Sequence, residues 1–515
     1  MTSWEGRKMR RSFCTRETVL VADTINFGPT SGLIRCLAVI LCFGILPPLY
    51  AGPCVKANAV EWASQFGSSS NDFVRDAAID QDGNIYAVGW TQGIMHGQNA
   101  PGGPNDSFIM KFSPNGILQW VRQFGTTAAD RIIGVAVDPS GDIFVAGITF
   151  AAMPDQEFMG GLSDAYLARF SPDGDKLWLK QFGTSATDQG YRVAVNSQGN
   201  VFVSGTTWGR FPGETQTGPI DVFLAKFTND GEHIWIRQFG TPGGDSGPGL
   251  AVDANDHIYV GGYTTDDFAG QSGPPGVNAF LTKFLPNGTK SWARQIGSGE
   301  NTIGAYVAVD GQGDIYLTGN TQGSLPGEVG AGMADAFVAK FSPNGDLKWH
   351  RQIGTEGDDF AFGITARSDG GVYITGFVSG ALPNQQFNGV ADVFVAHYQS
   401  DGSLAWLSQF GSSQQDIGRV VKIGQNDRVV VAGFTEGNIK GQPNMGGKSA
   451  FITGMGTCIR TPGDLTGSGA VDVQDLLTLL QNWGPCEFTF DCPADINGDG
   501  YVDLFDLLLL LENWG

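Results

Sequence analysis

Between residues 60 and 457 the hydrophobic residues fall into short runs of strand length that are separated by Gly-containing turns. In one stretch these runs are 135–138, 143–147, 165–170 and 176–182. A Gly-Asp turn follows the first run, and a Pro-Asp-Gly turn at 172–174 joins the third run to the fourth. Such turns between apolar or alternating runs are typical of β-hairpins. The pattern therefore predicts a meander of four antiparallel strands.

This unit is repeated along the chain at a nearly constant period. The phrase Trp-x-x-Gln-[Phe/Ile]-Gly recurs at Trp62, Trp120, Trp178, Trp235, Trp292, Trp349 and Trp406. A glycine follows each of these tryptophans at a distance that never varies: Gly89, Gly147, Gly205, Gly262, Gly319, Gly376 and Gly433. Seven four-stranded sheets of this kind, arranged radially, predict an all-β fold, the seven-bladed β-propeller.

The two ends of the repeat array predict how the ring closes. The last unit has no Trp strand of its own, and the first Trp strand, Val60 to Phe66, has no blade before it. If this strand completes the blade formed by residues 418–456, every blade has four strands and no sheet edge is left open. A linear β-solenoid is the alternative, but it leaves the strand at 60–66 unexplained.

Two recurring phrases, Gly-Asn-x-Tyr-Val-x-Gly and Asp-Ala-Phe-Val-Ala-Lys-Phe (the latter at 335–341), resemble those of the bacterial SBBP β-propeller repeats. The resemblance covers residues 60 to about 457. SBBP repeats occur in secreted and surface proteins, most of them without an assigned activity. The resemblance therefore supports the propeller and says little about function.

Aspartates recur at two positions of the repeat. A first ring stands at one fixed position after each Trp, with Thr302 as the exception: Asp72, Asp130, Asp188, Asp245, Asp359 and Asp416. A second ring opens the third strand, with Asn278 and Ser449 as exceptions: Asp106, Asp164, Asp221, Asp335 and Asp392. Either these carboxylates accept backbone N–H bonds within their loops, or they form an acidic rim that binds cations or polyols. A feature of nearly every blade favours the first interpretation.

Aromatic and histidine side chains give weaker signals. A Trp at one fixed strand position predicts packing between sheets, whereas a sugar platform needs exposed loop aromatics; the candidates are Phe150, Phe158, Trp208, Phe211 and Phe268. The five histidines share no repeat position and form no metal-like pair: His96, His233, His257, His350 and His397. No nucleophile elbow, P-loop or zincin motif is visible. The sequence leaves open whether two carboxylates are paired for glycoside hydrolysis, because the distance between them depends on the three-dimensional fold.

The C-terminal segment carries a different pattern, with two loops at 464–475 and 495–506. Oxygen-bearing side chains stand at positions 1, 3, 5, 9 and 12 of both loops, with Gly at position 6, as in a calcium-binding EF-hand loop. An apolar, helix-like run follows each loop. Position 12 is Asp, where an EF-hand usually has Glu.

This duplicated loop-and-helix unit, at 462–515, resembles a dockerin type I module, which docks onto cohesins. The resemblance implies Ca²⁺ as the cofactor and a cohesin-like partner. The ligands it implies are Asp464, Thr466, Ser468, Asp472 and Asp475 in the first loop, and Asp495, Asn497, Asp499, Asp503 and Asp506 in the second. The first loop has fewer charges, which predicts a weaker site. Positions 10 and 11, often Ser/Thr in dockerins, are Val473-Gln474 and Leu504-Phe505, so calcium binding is better supported than docking.

The N-terminal segment predicts export. Basic residues precede the short apolar run 37–46, and the small–x–small pattern Ala57-Asn58-Ala59 follows it as a cleavage site, with Ala51 as a second candidate. The expected domains are a leader at 1–59, the propeller at 60–457 and the dockerin-like domain at 458–515. The pairing of Cys458, Cys486 and Cys492 is left open.

Charge and composition narrow the function. The net charge of −21 is the wrong sign for nucleic-acid binding, and no apolar run reaches the roughly 20 residues of a membrane span. We expect a secreted or cell-surface, non-enzymatic binding or scaffold protein, displayed through its calcium module. The alternative is an extracellular polysaccharide-degrading enzyme, a glycoside hydrolase or lyase, with a polysaccharide as ligand and the dockerin-like tail as tether.

Overall fold

The computed structural model describes residues 60–99, 102–268, 273–456, 465, 471, 473–485, 494, 501–512 and 514. The expected leader at 1–59 lies outside these described residues, as do Cys458, Cys486 and Cys492. Neither of the two described α-helices has the length and apolar character needed to cross a membrane.

Six blades are formed by four consecutive antiparallel strands each. The first three blades contain β2 (Asp72–Ile79), β3 (Ile85–Thr91), β4 (Asp106–Phe112) and β5 (Leu118–Phe124); β6 (Asp130–Val137), β7 (Ile143–Thr149), β8 (Asp164–Phe170) and β9 (Lys176–Phe182); and β10 (Asp188–Val195), β11 (Val201–Thr207), β12 (Asp221–Phe227) and β13 (His233–Phe239). The next three contain β14 (Asp245–Val252), β15 (Ile258–Thr264), β16 (Asn278–Phe284) and β17 (Lys290–Ile296); β18 (Thr302–Val309), β19 (Ile315–Thr321), β20 (Asp335–Phe341) and β21 (Leu347–Ile353); and β22 (Phe360–Ala366), β23 (Val372–Val378), β24 (Asp392–Tyr398) and β25 (Leu404–Phe410).

The seventh blade joins the two ends of the array. It consists of β26 (Asp416–Ile423), β27 (Val429–Thr435), β28 (Ser449–Met455) and, as its outer strand, β1 (Val60–Phe66). Strand β1 runs antiparallel to β28, with Phe66 opposite Ala450 and Gln65 opposite Phe451. Two short 3-10 helices, Gln425–Asp427 and Ile439–Gly441, lie in the connections of this blade. The predicted strand-exchange closure is therefore confirmed, and the linear solenoid is wrong.

The hydrophobic core lies between neighbouring blades. Tyr86 and Val88 of the first blade pack in one cluster with Ile132, Val145 and Tyr166 of the second. The first strands β2, β6, β10, β14, β18, β22 and β26 contact one another in sequence, and β26 contacts β2. These seven strands therefore form the wall of a closed central channel, with the fourth strands at the outside.

A β-bulge in every inner strand explains the glycine that recurs at a fixed distance after each Trp. In β2 the pairing with β3 shifts between Val74 and Asp76, which leaves Arg75 as the extra residue. Gly89 pairs at this point, and a Cβ on it would overlap the carbonyl oxygen of Phe73. The same overlap with the equivalent backbone carbonyl applies at Gly147, Gly205, Gly262, Gly319, Gly376 and Gly433. Only glycine fits opposite the bulge.

The described C-terminal residues form a small module with its own core. Helix α1 spans Val473–Gln481 and helix α2 spans Leu504–Glu512, while the two-residue strands β29 (Gly484–Pro485) and β30 (Tyr501–Val502) pair with each other. Its buried apolar side chains are Val471, Leu479, Ala494, Val502 and Leu510. Helices therefore follow both predicted loops, although most of the loop residues are not described.

Candidate functional site

The first aspartate ring caps the loops that connect neighbouring blades. The side chain of Asp188 is fully buried, and its Oδ2 accepts the backbone N–H of Thr184 at 2.6 Å and the Thr184 hydroxyl at 2.9 Å. The carboxylates of Asp72, Asp130, Asp245, Asp359 and Asp416 accept the same two donors from the preceding Ser or Thr of their own loops. In the one blade that has Thr302 in place of the ring aspartate, Thr302 Oγ1 accepts the N–H of Ser298 at 3.2 Å. The loop-cap interpretation is confirmed.

The second ring is held by the glutamine of the Trp-x-x-Gln phrase. Gln181 Nε2 donates to Asp164 Oδ2 at 2.7 Å, while its Oε1 accepts the N–H of Met153 at 2.8 Å. The pairs Gln123–Asp106, Gln238–Asp221, Gln352–Asp335 and Gln409–Asp392 repeat the first bond at 2.9, 2.8, 2.7 and 3.0 Å. The glutamine thus fixes the long loop between the second and third strands of its blade, a role that the sequence pattern did not reveal.

Carboxylates of the two rings meet at the blade junctions. A Cβ on Gly183 would lie 2.7 Å from Asp188 Oδ2 and 3.2 Å from Asp164 Oδ1, so both carboxylates close over this glycine. Burial raises the pKa of both aspartates, and the nearby Asp164 charge raises that of Asp188 further. Because the ring side chains are buried, they do not form an accessible acidic rim. Among the described residues, no group of three or more His, Cys, Asp or Glu side chains could hold a metal ion.

The recurrent tryptophans pack between blades, as predicted. Trp178 in β9 lies 6.1 Å from the Phe144 ring of its own blade, and its Nε1 donates to the carbonyl of Asn229 in the next blade at 3.1 Å. Trp120, Trp292 and Trp349 donate in the same way to Pro172, Pro343 and Ser400 at 3.3, 3.2 and 3.0 Å. This position therefore serves the packing of one blade on the next.

The candidate loop aromatics do not form a platform. Phe211 and Phe268 are only 4% and 1% exposed and belong to core clusters, whereas Trp208 and Phe150 are 37% and 36% exposed on different blades. Phe158 is half-buried and lies in the same loop of the second blade as Phe150. A sugar platform built from these residues is therefore not supported.

The histidines are structural or exposed. His397 stacks on Tyr373 with ring centroids 4.3 Å apart, and burial lowers its pKa to about 4. His257 bonds to Asp253 at 2.9 Å, and His350 Nε2 lies 2.8 Å from the carbonyl of Pro326. Burial also lowers the pKa of His233, while His96 is exposed. The four histidines other than His96 therefore have a structural contact or a buried setting that accounts for them.

The central channel is where the blades differ most. The bulge residue of the inner strand is different in nearly every blade: Arg75, Ile133, Tyr191, Pro248, Ala305, Phe362 and Arg419. A bulge re-aims the side chain it carries. The guanidinium of Arg419 lies 4.0 Å from the centroid of the Phe362 ring, and that of Arg192 lies 4.2 Å from the Tyr306 ring. Side chains from separate blades therefore converge in the channel.

Sequence reasoning missed these channel residues. The available signal was the loss of repetition itself, since the bulge position varies from repeat to repeat while the Trp, Gln, Gly and Asp positions around it recur. Without knowledge of the bulge, the pattern gave no reason to place these varied side chains on one surface.

Three of the ten calcium ligands implied by the dockerin resemblance are described, and their chemistry fits calcium. Asp475 and Asp506, at position 12 of the two loops, are fully buried in the first turns of α1 and α2. Asp506 Oδ2 accepts the N–H of Asp503 at 2.8 Å. Carboxylate oxygens are the hard ligands that calcium takes. The other implied ligands lie outside the described residues: Asp464, Thr466, Ser468, Asp472, Asp495, Asn497 and Asp499.

The two halves of the C-terminal module are equivalent in the described residues. Val471 and Val502 at position 8 of the loops, and Leu479 and Leu510 one helical turn after position 12, are all buried. Val471 forms an isolated β-bridge with Trp514 at the end of the second half. Val502 forms a β-pair with Gly484 at the end of the first half. The duplication seen in sequence is therefore also a structural duplication.

Fold and repeat together define a seven-bladed β-propeller of short four-stranded blades. The family model described as "Beta-propeller repeat" (SBBP) matches residues 61–94, 119–149, 177–212, 234–269 and 291–326. These matches confirm that the chain carries SBBP β-propeller repeats. The model matches only propeller segments, so the dockerin resemblance stays a prediction.

Known proteins show similarity at low identity. The regulatory protein FlaEY of Caulobacter vibrioides is 24% identical over 381 residues, which cover 65% of this chain and 39% of that protein. An uncharacterized WD repeat-containing protein of Acanthamoeba polyphaga mimivirus is 24% identical over 502 residues, covering 73% and 36% respectively. The chain thus spans less than two fifths of these relatives.

Among solved structures, the Pan2 WD40 domain of Neurospora crassa aligns over 76% of this chain and 95% of its own. The TM-score is 0.44 and the identity is 9%.

Proposed function

We propose that this β-propeller protein is a non-enzymatic binding or scaffold protein. The observation that carries this proposal is the uniform structural use of its ring carboxylates. A glycosidase needs two carboxyl groups that reach the scissile bond. The ring aspartates are buried at blade junctions and hydrogen-bonded to their own loops, so they have no access to a polysaccharide.

An activity and binding screen tests this proposal against the enzymatic alternative. Purified full-length protein is incubated with a panel of polysaccharides, and reducing ends and unsaturated products are measured together with retention on insoluble substrates. We expect no product above the level of a heat-denatured control. Turnover by the wild type above this control would establish the enzymatic alternative, and turnover that survives in folded Asp164→Asn and Asp188→Asn variants would place catalysis away from these two carboxylates.

The C-terminal module is the calcium-dependent attachment element in this proposal. Its two loops have matching oxygen positions, and the described halves bury equivalent carboxylates, Asp475 and Asp506. The cluster of aspartates in this short segment repels itself without a cation, so binding free energy becomes folding free energy. By the dockerin resemblance, the partner of the loaded module is a cohesin-like protein or a cell-surface assembly.

Calcium titration of the full chain tests the attachment element. We expect binding heat, and a gain of helical circular dichroism when calcium is added to chelator-treated protein. Asp495→Ala should remove most of this response and Asp464→Ala only part, because the second loop carries more charge. The exposed Asp230→Asn substitution is the matched control. Absence of calcium heat, or equal losses from both loop variants, would contradict the proposal. Heat that remains when Asp464→Ala and Asp495→Ala are combined would come from another site.

Export of the chain is the third part of the proposal. It is supported by the basic residues, the short apolar run and the small–x–small pattern before the first strand. Expression in a bacterial host with recovery from the medium or cell surface, followed by N-terminal sequencing, tests it. A mature start between Ala51 and Val60 is expected, and retention of residues 37–46 in the cytoplasm would contradict it.

A further inference from the structure

We propose that the central channel binds a small oxyanion, the carboxylate or phosphate group of its ligand, through Arg75, Arg192 and Arg419. The site deepens the proposed binding function by naming a ligand chemistry, and in that sense it rests on the proposed function. It is independent of the calcium module, so either proposal can fail while the other stands.

The channel concentrates positive charge in an otherwise acidic protein. Arg75, Arg192 and Arg419 come from three different blades, and the charge of each acts on the others. Within the described chain, Arg192 alone of the three forms an ion pair, with Asp76 at 2.5 Å. One carboxylate against three guanidinium groups leaves an excess of positive charge, in a molecule whose net charge is −21.

Hydrogen-bond donors in the channel are left without acceptors. The Nε atoms of Arg75 and Arg419 are buried and have no hydrogen-bond partner within the described structure. Their guanidinium planes lie over aromatic rings instead, Arg75 at 5.2 Å from Trp90 and Arg419 at 4.0 Å from Phe362. A buried charged donor without an acceptor is costly, so an oxyanion that accepts from it would be bound favourably.

Burial and mutual repulsion both act against the charged forms of Arg75 and Arg419. Burial, reinforced by the neighbouring Arg75 and Arg192 charges, lowers the pKa of Arg419 to about 9. Burial likewise lowers the pKa of Arg75, and the positive charges of Arg192 and Arg131 lower it further. An anion between these groups would reverse the mutual repulsion and restore ordinary guanidinium behaviour.

The cavity beside Arg192 and Arg419 sets the size of the ligand. It is lined by Asp76, Arg192, Tyr306, Arg419 and Lys422, among others, and has a volume of about 80 Å³. Arg75 does not line this cavity, but its charge acts on both Arg192 and Arg419. Since one water needs roughly 10–15 Å³ of such volume, the cavity holds several waters or one small oxyanion group. This size favours phosphate or a carboxylate over a folded macromolecule.

The fold itself does not require these arginines. The same bulge position carries Ile133, Ala305 and Phe362 in other blades, where the strands pair in the same way. Arg192 occupies a position that is glycine in three other blades, at Gly134, Gly249 and Gly363. Charged side chains at positions where the repeat tolerates Ala, Gly or Phe are therefore better explained by a ligand than by blade stability.

Isothermal calorimetry on the full chain tests the proposal, with inorganic phosphate and succinate as probes in a chloride buffer of fixed ionic strength. We expect binding of at least one probe. Arg75→Gln and Arg419→Gln should each weaken it on the order of tenfold or more, as the loss of a charge-assisted bond predicts. Arg419→Lys should retain part of the affinity. Heat with phosphate alone identifies a phosphate ligand, and heat with succinate alone identifies a carboxylate.

A matched control separates the channel from general arginine effects. Arg237 lies 5.2 Å from the Trp235 ring on an outer strand, and Arg237→Gln should leave binding unchanged. In buffer without phosphate or succinate, Arg75→Gln and Arg419→Gln should melt at or above the temperature of the wild type, because each substitution removes a positive charge and so relieves repulsion. Absence of heat with both probes, or unchanged affinity in both channel variants, would overturn the proposal. Melting of both channel variants well below the wild type would also overturn it, since the arginines would then be structural.

Discussion

The blade junctions and the central channel of this propeller are built by opposite rules. At the junctions, the same Asp, Gln and Trp positions make the same bonds in nearly every blade, as Asp188 does with Thr184 and Gln181 with Asp164. In the channel, the bulge residue of the inner strand ranges from Arg to Ala. Repetition therefore marks what the fold needs, and variation marks where the molecule can acquire a specific ligand.

The two regions also treat charge differently. Each buried junction carboxylate accepts several hydrogen bonds, so its burial is compensated locally. In the channel, two of three guanidinium groups have buried donors without acceptors in the described structure. The comparison predicts that substitutions at the junctions change stability, and that substitutions in the channel change binding.

The largest effect is expected from removal of the closing strand. Deletion of residues 60–66 leaves β28 with an unpaired edge in the seventh blade, and exposed edges promote association between chains. We expect an oligomeric or aggregated protein in size-exclusion chromatography with light scattering, and a lower melting temperature. A monomer with unchanged melting would show that the ring does not depend on this strand.

A large but local effect is expected at a junction cap. Asp188→Ala removes the acceptor for the buried N–H and hydroxyl of Thr184 and should lower the free energy of unfolding by about 2–3 kcal/mol. Thr302→Ala is the matched control, because this junction has only the bonds of a neutral hydroxyl, at 3.2 Å to Ser298 and 2.9 Å to Thr321, and should lose less. Equal losses in urea titrations would contradict the assigned role of the carboxylate.

The pH dependence of stability gives a sharper test of the same junctions. Burial raises the pKa of Asp188 in the folded protein, so folding favours its protonated form. Its stabilising contribution is complete below the unfolded value of about 3.9 and is lost as the pH rises through the higher folded value. Asp188→Asn should therefore flatten the gain in stability that wild type shows on acidification from neutral pH.

The control for this measurement is a surface charge. Asp230 is 89% exposed, and Asp230→Asn removes the same charge without altering a buried group. Urea unfolding at a series of pH values from neutral to mildly acidic should show the flattening only for Asp188→Asn. Identical pH profiles for the two variants would mean that net charge, and not burial at the junction, sets the dependence.

The smallest effect is expected in the channel. Ala305 occupies the bulge of the fifth blade, so Ala305→Ser should change stability by less than about 0.5 kcal/mol. Ala336 is fully buried between blades, and Ala336→Ser places a hydroxyl there at a cost of about 1–3 kcal/mol. Equal costs in thermal unfolding would show that the channel is packed as tightly as the junctions.

The sequence by itself determined the repeated architecture. The strand pattern, the hairpin turns and the constant distance from Trp to Gly predicted four-stranded blades, and the unmatched strand at 60–66 predicted the closure. The loop-cap role of the aspartates followed from their presence in nearly every blade. All of these features are encoded within one repeat, or by one repeat next to another, where local spacing is sufficient.

Tertiary structure alone decided what lies in the channel. Arg75, Arg192 and Arg419 belong to three distant repeats, and they meet only because the ring closes and each inner strand contains a bulge. The bulge adds one residue and changes which side chain faces inward, so strand alternation cannot locate these groups. Convergence of side chains across a ring is a property of the closed fold, which is why the sequence pattern specified the blades and left the site undetermined.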